Sequence, residues 1–245
     1  MQSQSPSAGR QFLGSEAKTA YEASKVVILP IPYEATTTYR KGCENGPDAL
    51  LEASDQLEAY DEELKRETCI EVGIYTHAAI ADTRQDSLSA EEMLQVTTET
   101  VSRLLGDGKF VIAVGGEHGI TTGVIRAYQQ ILNEPFTVVQ IDAHGDMRYE
   151  YEGSIHNHAC VMRRILEMGL ATLPVGIRSI SQEEAQLIEE KQIPVIWDRK
   201  IATDANWIEK AIAQIATQKV FITIDVDGID PSLIPGVGTP EPGGL

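Results

Sequence analysis

Carboxylates and imidazoles recur in this chain at a spacing of two. Asp142, His144 and Asp146 alternate at the end of residues 136–146 (FTVVQIDAHGD), after a run of mostly β-branched apolar residues. Asp225 and Asp227 end a second such run, residues 220–227 (VFITIDVD). A third run, residues 110–114, leads into Gly115, Gly116, Glu117 and His118. Short apolar runs rich in Val and Ile read as buried strands. In extended chain, side chains two apart share a face. Each run therefore aims acids, an imidazole or both into one space. Unpaired carboxylates are costly to bury, and no Lys or Arg alternates with these. Divalent cations would offset that cost. In open parallel α/β sheets the site lies at the carboxyl ends of the strands, so the three clusters could meet there.

The chain has five histidines, and four of them (His118, His144, His156, His158) lie in these strand-end segments; His77 is the exception. The candidate ligands are His118, Asp142, His144, Asp146, Asp225 and Asp227: four carboxylates, two imidazoles and no thiolate. One dication cannot neutralise four carboxylates, whereas two can, with carboxylates bridging them. Paired metals roughly 3.5–4 Å apart clamp and activate a water. Oxygen-rich ligation suits Mn²⁺ or Mg²⁺ better than a structural Zn²⁺, with Ni, Fe and Co left open.

Strands and helices alternate around these clusters as in a parallel α/β sheet. Strands are expected at residues 26–31, 110–114, 136–141, 172–177, 193–197 and 220–227. Helices are expected from Pro47, over 90–105, 120–132, 159–168, after Ser181, and over 206–216. Ser89 followed by Glu91 and Glu92 reads as a helix start, and Ser181 with Glu184 has the spacing of a capping box. Residues 60–90 are acidic and poorly patterned. Residues 1–24 read as a flexible N-terminal arm, followed by one domain over 25–245.

Composition narrows the partners. The 245 residues carry 20 Lys and Arg against 37 Asp and Glu, a formal charge of −17. That balance argues against nucleic acid or an anionic membrane surface and fits a small cationic substrate. Cys43, Cys69 and Cys160 show no metal or redox spacing, and the odd count argues against a disulfide framework. No run is long enough for a transmembrane helix and no secretory signal is visible, so a cytoplasmic protein is expected.

Several segments then resemble one family. GGEHGIT, IDAHGDMR, HNHACVMRR, GIRS and IDVDGIDPSLIPGVGTPEPGGL look like the signatures of the ureohydrolases, the group of arginase, agmatinase and guanidinobutyrase. IPYEATTTYRKG followed by GPDAL resembles that family's amino-terminal segment. The similarity runs from about residue 26 to the end. It implies a three-layer α-β-α fold with a mainly parallel sheet of the arginase type. It implies two Mn²⁺ per subunit, one held by His118, Asp142, Asp146 and Asp225, the other by Asp142, His144, Asp225 and Asp227. A metal-bridging hydroxide, oriented by Asp146, would attack a guanidinium carbon, and His158 would shuttle a proton to the leaving amine. Ser154 and His156 would contact substrate, and the subunits would form trimers or hexamers.

The resemblance also narrows the substrate. In arginases an Asp that helps bind the substrate α-amino group stands where this chain has Ser181. The expected reaction is therefore cleavage of agmatine to urea and putrescine. Guanidinobutyrate and arginine are the rivals, and Arg163 and Arg164 could meet a substrate carboxylate or simply face outward. Family members continue beyond the segment matching Leu245, with a glutamate for the guanidinium, a last strand and a closing helix. That strand is expected between the strands leading to Asp146 and Asp227. A fragment is therefore expected, and an inactive relative is the alternative. A metal deacetylase of the same general fold is a more distant reading.

Overall fold

The apolar runs that lead into acids and histidines are strands in the computed structural model, which describes residues 9–15 and 17–245. In chain order the elements are β1 (Val26–Ile31), α1 (Gly46–Ser54), α2 (Thr68–Val72), β2 (Ile74–Thr76), α3 (Ala90–Gly106), β3 (Phe110–Gly115), α4 (Ile120–Leu132) and β4 (Phe136–Ile141). They continue with α5 (Val161–Glu167), β5 (Ala171–Ile177), α6 (Gln182–Lys191), β6 (Ile196–Trp197), α7 (Asp198–Ile201), α8 (Trp207–Ala213) and β7 (Lys219–Ile224). The strands form two parallel sheets, ordered β2-β1-β3 and β6-β5-β4-β7. This is the three-layer α/β class expected from the sequence, with helices flanking parallel sheets.

Register carries the chemistry to common ends. Ile31 pairs with Gly115 at the close of the β1–β3 ladder. Ile141 pairs with Ile224 at the close of β4–β7. His118, Asp142 and Asp225 therefore each follow a ladder end by one to three residues. The direct β4–β7 pairing corrects one expectation: no strand is interposed between the segments leading to Asp146 and Asp227. The edge strands are β2, β3, β6 and β7, and exposed Phe110, Ile112, Ile222 and Ile224 lie on β3 and β7.

Two apolar cores flank these sheets. One gathers Val27, Leu29, Ile31 and Tyr33 with Met93, Leu94, Val101 and Leu104 of α3. The other gathers Ile125, Phe136, Val138, Met147, Met162 and Ile165. Tyr128 and Phe221 pack against both, ring edge to face at 5.5 Å. Each fully buried aliphatic side chain contributes about 1.5–3 kcal/mol. The anticipated capping box of Ser181 with Glu184 forms, and the expected helix start at Ser89 is a second one, with Glu92. Each satisfies backbone N–H groups that a helix start leaves without partners.

Several expectations shift. The described part of the N-terminal arm lies against the domain: Phe12 N donates to Thr76 Oγ1 at 2.8 Å and Leu13 N to Ser54 Oγ at 3.0 Å. Tyr21 packs edge-on against Tyr75 at 5.3 Å. Residues 1–8 and 16 of that arm lie outside the described residues. The poorly patterned stretch 60–90 contains α2 and β2, too short for a period to show. The expected strand 193–197 shrinks to β6, following Pro194, which has no N–H to give a ladder. The expected helix 206–216 is α8. The expected helix 159–168 opens as a 3₁₀ turn, His158–Cys160, before α5.

Candidate metal centre

The acids converge because the chain leaves the sheet, not because it stays extended. β4 ends at Ile141, and Asp142 N donates sideways to Val175 O at 3.1 Å. Asp146 has a φ of +51°, left-handed backbone that a non-glycine residue adopts only where its surroundings enforce it. That reversal sets its carboxylate 2.9 Å from His118 Nδ1. On the neighbouring strand Asp225 N donates to Ile141 O at 2.8 Å, and Asp225 caps the 3₁₀ turn Val226–Gly228 by accepting from Asp227 N. The alternation of acids thus marks tight turns rather than a pleated face. Gly228 must be glycine for this: a Cβ there would lie 2.9 Å from Asp142 N. Gly116 fits a similar need, since its Cβ would fall 2.0 Å from Tyr33 O, where β3 turns towards His118.

The six expected ligands form one partly buried cluster. His118 Nδ1 is 3.0 Å from Asp142, 2.9 Å from Asp146 and 3.7 Å from Asp225. His144 Nδ1 is 3.0 Å from Asp227 and 3.7 Å from Asp142. Donor atoms of His118, Asp142 and Asp225 lie within 4.8 Å of one another, as do those of Asp142, His144 and Asp227. Asp142, with 0 % of its surface exposed, belongs to both groups. The arrangement is two overlapping donor sets sharing a carboxylate, and its chemistry fits a pair of divalent cations.

Electrostatics point the same way. Burial and the Asp142 charge push the Asp146 carboxyl up to about 7, and burial with the Asp142 and Asp227 charges pushes Asp225 up to about 8. Burial opposes ionisation of Asp142 too, but bonds from His118 and His144 hold it well below the usual carboxylate range. Burial lowers His144, yet Asp142 and Asp227 outweigh it and raise the imidazole to about 11. Without cations the cluster therefore keeps protons. Raised acids give stability that is full below an unfolded pKa of about 4 and is lost as pH rises through 7 and 8. The raised His144 gives stability that is full below about 6.5 and is lost towards 11, which is the same slope. Asp142 has the opposite sign, but its share is lost only in acid. The chelated protein should therefore melt lower at pH 9 than at pH 5, by on the order of 5 °C or more. Saturating divalent metal should remove that slope. Melting curves with chelator and with metal at pH 5, 7 and 9 check this, and a pH-independent chelated melting temperature contradicts it.

Around the cluster, side chains whose sequence context gives them no metal-site role hold the ligands. Gln140 Nε2 donates to Asp142 Oδ2 at 2.9 Å, and Thr223 Oγ1 lies 2.9 Å from His118 Nε2. Arg178 donates to the carbonyls of Gly176, Asp227, Gly228 and Glu241 at 2.7–3.3 Å. Glu184 accepts from Met147 N at 2.8 Å, tying the α6 capping box to the turn after Asp146. The GIRS segment contains Arg178, but nothing in its spacing gives the clamping role.

His158 sits in its 3₁₀ turn with its ring fixed. Nδ1 donates to Thr36 O at 2.9 Å, which leaves Nε2 as the basic nitrogen. Thr36 is held in turn by Glu117, to which its N and Oγ1 donate at 2.7 and 2.6 Å. Burial lowers the His158 pKa, against the bond to Thr36 that raises it, and the His118 and His144 charges add to the lowering. Ser154 and His156 are not drawn in this way. Ser154 Oγ accepts from His156 N at 3.1 Å, and the charges acting on His156 are Arg126, Glu91 and Arg164 rather than those of the acid cluster. Arg163 and Arg164 both pair with Glu167; Arg164 is buried rather than outward-facing.

The arginase-family profile matches residues 24–245. The chain belongs to the arginase family. Arginase-family ureohydrolases are binuclear-metal hydrolases acting on guanidino groups, and the two donor sets are consistent with that. An N(1)-aminopropylagmatine ureohydrolase of Synechocystis is 63% identical over 237 residues, covering 96% of this chain and 78% of its own. An agmatinase of Pyrococcus horikoshii is 34% identical, covering 89% and 74%. Among solved structures, the agmatine ureohydrolase of Thermoplasma volcanium is 32% identical with a TM-score of 0.82, covering 97% and 78%. Among the described residues, no helix of this arginase-family chain is long and apolar enough to cross a membrane.

Proposed function

We propose that this chain hydrolyses the terminal guanidinium of a cationic polyamine to urea and the free amine, with N(1)-aminopropylagmatine preferred to agmatine. The observation that carries it is the pair of donor sets sharing Asp142, in a chain of a guanidinohydrolase family. The preference between substrates is supported by the 63%-identical relative, whose name specifies the aminopropyl substrate. It extends the agmatine expectation, since the two differ only by an added aminopropyl arm. Hydrolysis of the longer substrate releases urea and spermidine, where agmatine gives putrescine. An arginine substrate is disfavoured because Ser181 is committed to capping α6 through Glu184.

His118, Asp142, Asp146 and Asp225 would hold one cation, and Asp142, His144, Asp225 and Asp227 the other. We take Mn²⁺ for both, on the carboxylate-rich donor set. Such a pair, when bound, supplies a strong oxygen nucleophile near neutral pH. The chain does the rest. Asp146, fixed by its left-handed backbone, orients the attack. His158 Nε2 takes a proton and delivers it to the departing nitrogen, while Thr36 keeps Nδ1 occupied. The chain's formal charge of −17 favours the approach of a cationic substrate. On family analogy the protein is cytoplasmic and assembles as a trimer or hexamer.

Urea release from both substrates by the Mn²⁺-loaded protein tests this, with the higher kcat/KM expected for N(1)-aminopropylagmatine. Faster turnover of agmatine would return the reading to an agmatinase, and no urea from either would refute it. Replacing His158 with Gln should lower kcat by about 10²–10⁴-fold and leave metal content unchanged. An unaltered kcat would remove His158 from the mechanism.

A further inference from the structure

Each site histidine has two ring nitrogens, and what holds the second decides what the first can do. For His118 the second nitrogen, Nε2, is 2.9 Å from Thr223 Oγ1. For His158 it is Nδ1, bonded to Thr36 O at 2.9 Å. His144 turns Nδ1 into the cluster, leaving Nε2 3.6 Å from Glu241 Oε1.

We propose that Glu241 is a positioning residue for His144, its carboxylate accepting the Nε2–H so that the Nδ1 lone pair faces the second metal. The proposal rests on the reading of His144 as a metal ligand. A carboxylate can only accept, so this contact selects the Nε2–H tautomer, the one that leaves Nδ1 free to ligate. Carboxylate–histidine–metal chains of this kind orient the ring and raise its basicity.

Glu241 lies in the Pro- and Gly-rich segment after Asp227, yet its backbone is pinned. Arg178 Nε and Nη2 donate to Glu241 O at 3.3 and 2.9 Å. Two residues earlier, Thr239 Oγ1 donates to Asp227 Oδ2 at 3.1 Å. The segment is thus bolted to the acid cluster on both sides of Pro240, and the half-exposed Glu241 side chain projects from a fixed base. Among the described residues, His144 is the only basic group within 4.0 Å of its carboxylate. A separation of 3.6 Å is longer than a formed hydrogen bond. A small rotation of the glutamate closes it once the imidazole is held by metal.

The test is Mn²⁺ affinity, measured by competition with a chelating dye on the chelated full chain, for wild type, Glu241→Ala and Glu241→Gln. Two Mn²⁺ bound by wild type is the control on the underlying reading; fewer than two refutes that reading whatever Glu241 does. Given two, Glu241→Ala should weaken one of them by about 10–100-fold and spare the other. Glu241→Gln keeps an acceptor oxygen and should recover most of the loss. The chelated Glu241→Ala protein should melt as wild type does. Wild-type affinity for both metals in Glu241→Ala overturns the proposal. So does equal weakening of both with a lowered chelated melting temperature, which marks a merely structural residue. So does intact metal binding with a raised KM, which assigns Glu241 to substrate.

Discussion

Asp142→Ala should abolish urea release, by at least about a thousandfold, and should strip both metals rather than one. Asp142 belongs to both donor sets, so its loss leaves each incomplete. Its two oxygens also accept from His144 N at 2.7 Å and Gln140 Nε2 at 2.9 Å, and those donors lose their partner together with the ligand. Asp227 is in one set only. Asp227→Ala should therefore keep one metal while losing most activity. Metal content by mass spectrometry beside a urea assay separates the two variants. Undiminished urea release by Asp142→Ala would remove the shared-carboxylate account, and two metals retained by it would move the centre elsewhere.

The second large effect is expected at a residue that is neither acid nor imidazole. Arg178→Lys should destabilise the fold by about 3–5 kcal/mol, as loss of two or more charge-assisted hydrogen bonds in a part-buried network does. The guanidinium serves four carbonyls at once, and two of them, Asp227 O and Gly228 O, belong to the turn that presents Asp227. A lysine ammonium offers three donors from one point and cannot span them. For a chain of this size the loss corresponds to a melting temperature lower by roughly 10 °C. The Asp227 turn would loosen with it, so the metal bound by His144 and Asp227 should weaken first. Thermal melts with and without Mn²⁺ read both effects, and a wild-type melting temperature would show that the clamp is dispensable.

What the sequence disclosed and what it hid divide along physical lines. The strands beside the site were legible because β4 and β7 are near-continuous apolar runs, but the burial expected of both holds for β4 and not for the largely exposed β7. The ligands were legible because acids and histidines at strand ends have few structural uses. The reason for the acid spacing was misread: Asp146 and Asp227 reach the cluster through a left-handed residue and a 3₁₀ turn, and a period of two cannot tell these from extended chain. The supporting residues were invisible. Thr223, Gln140, Thr36 and Arg178 are ordinary polar residues whose importance comes from partners distant in sequence, such as Thr36 with His158, 122 residues away. β2 and α2 were missed because three and five residues are too few to show a period. The direct pairing of β4 with β7 was missed because strand order depends on pairing that composition does not encode.

The most direct test titrates Mn²⁺ into the chelated protein and follows bound metal and urea release from N(1)-aminopropylagmatine in the same samples. The account predicts no urea before metal is added, with activity that saturates as the second metal binds. Full activity in chelator, or saturation with a single metal per chain, would contradict it.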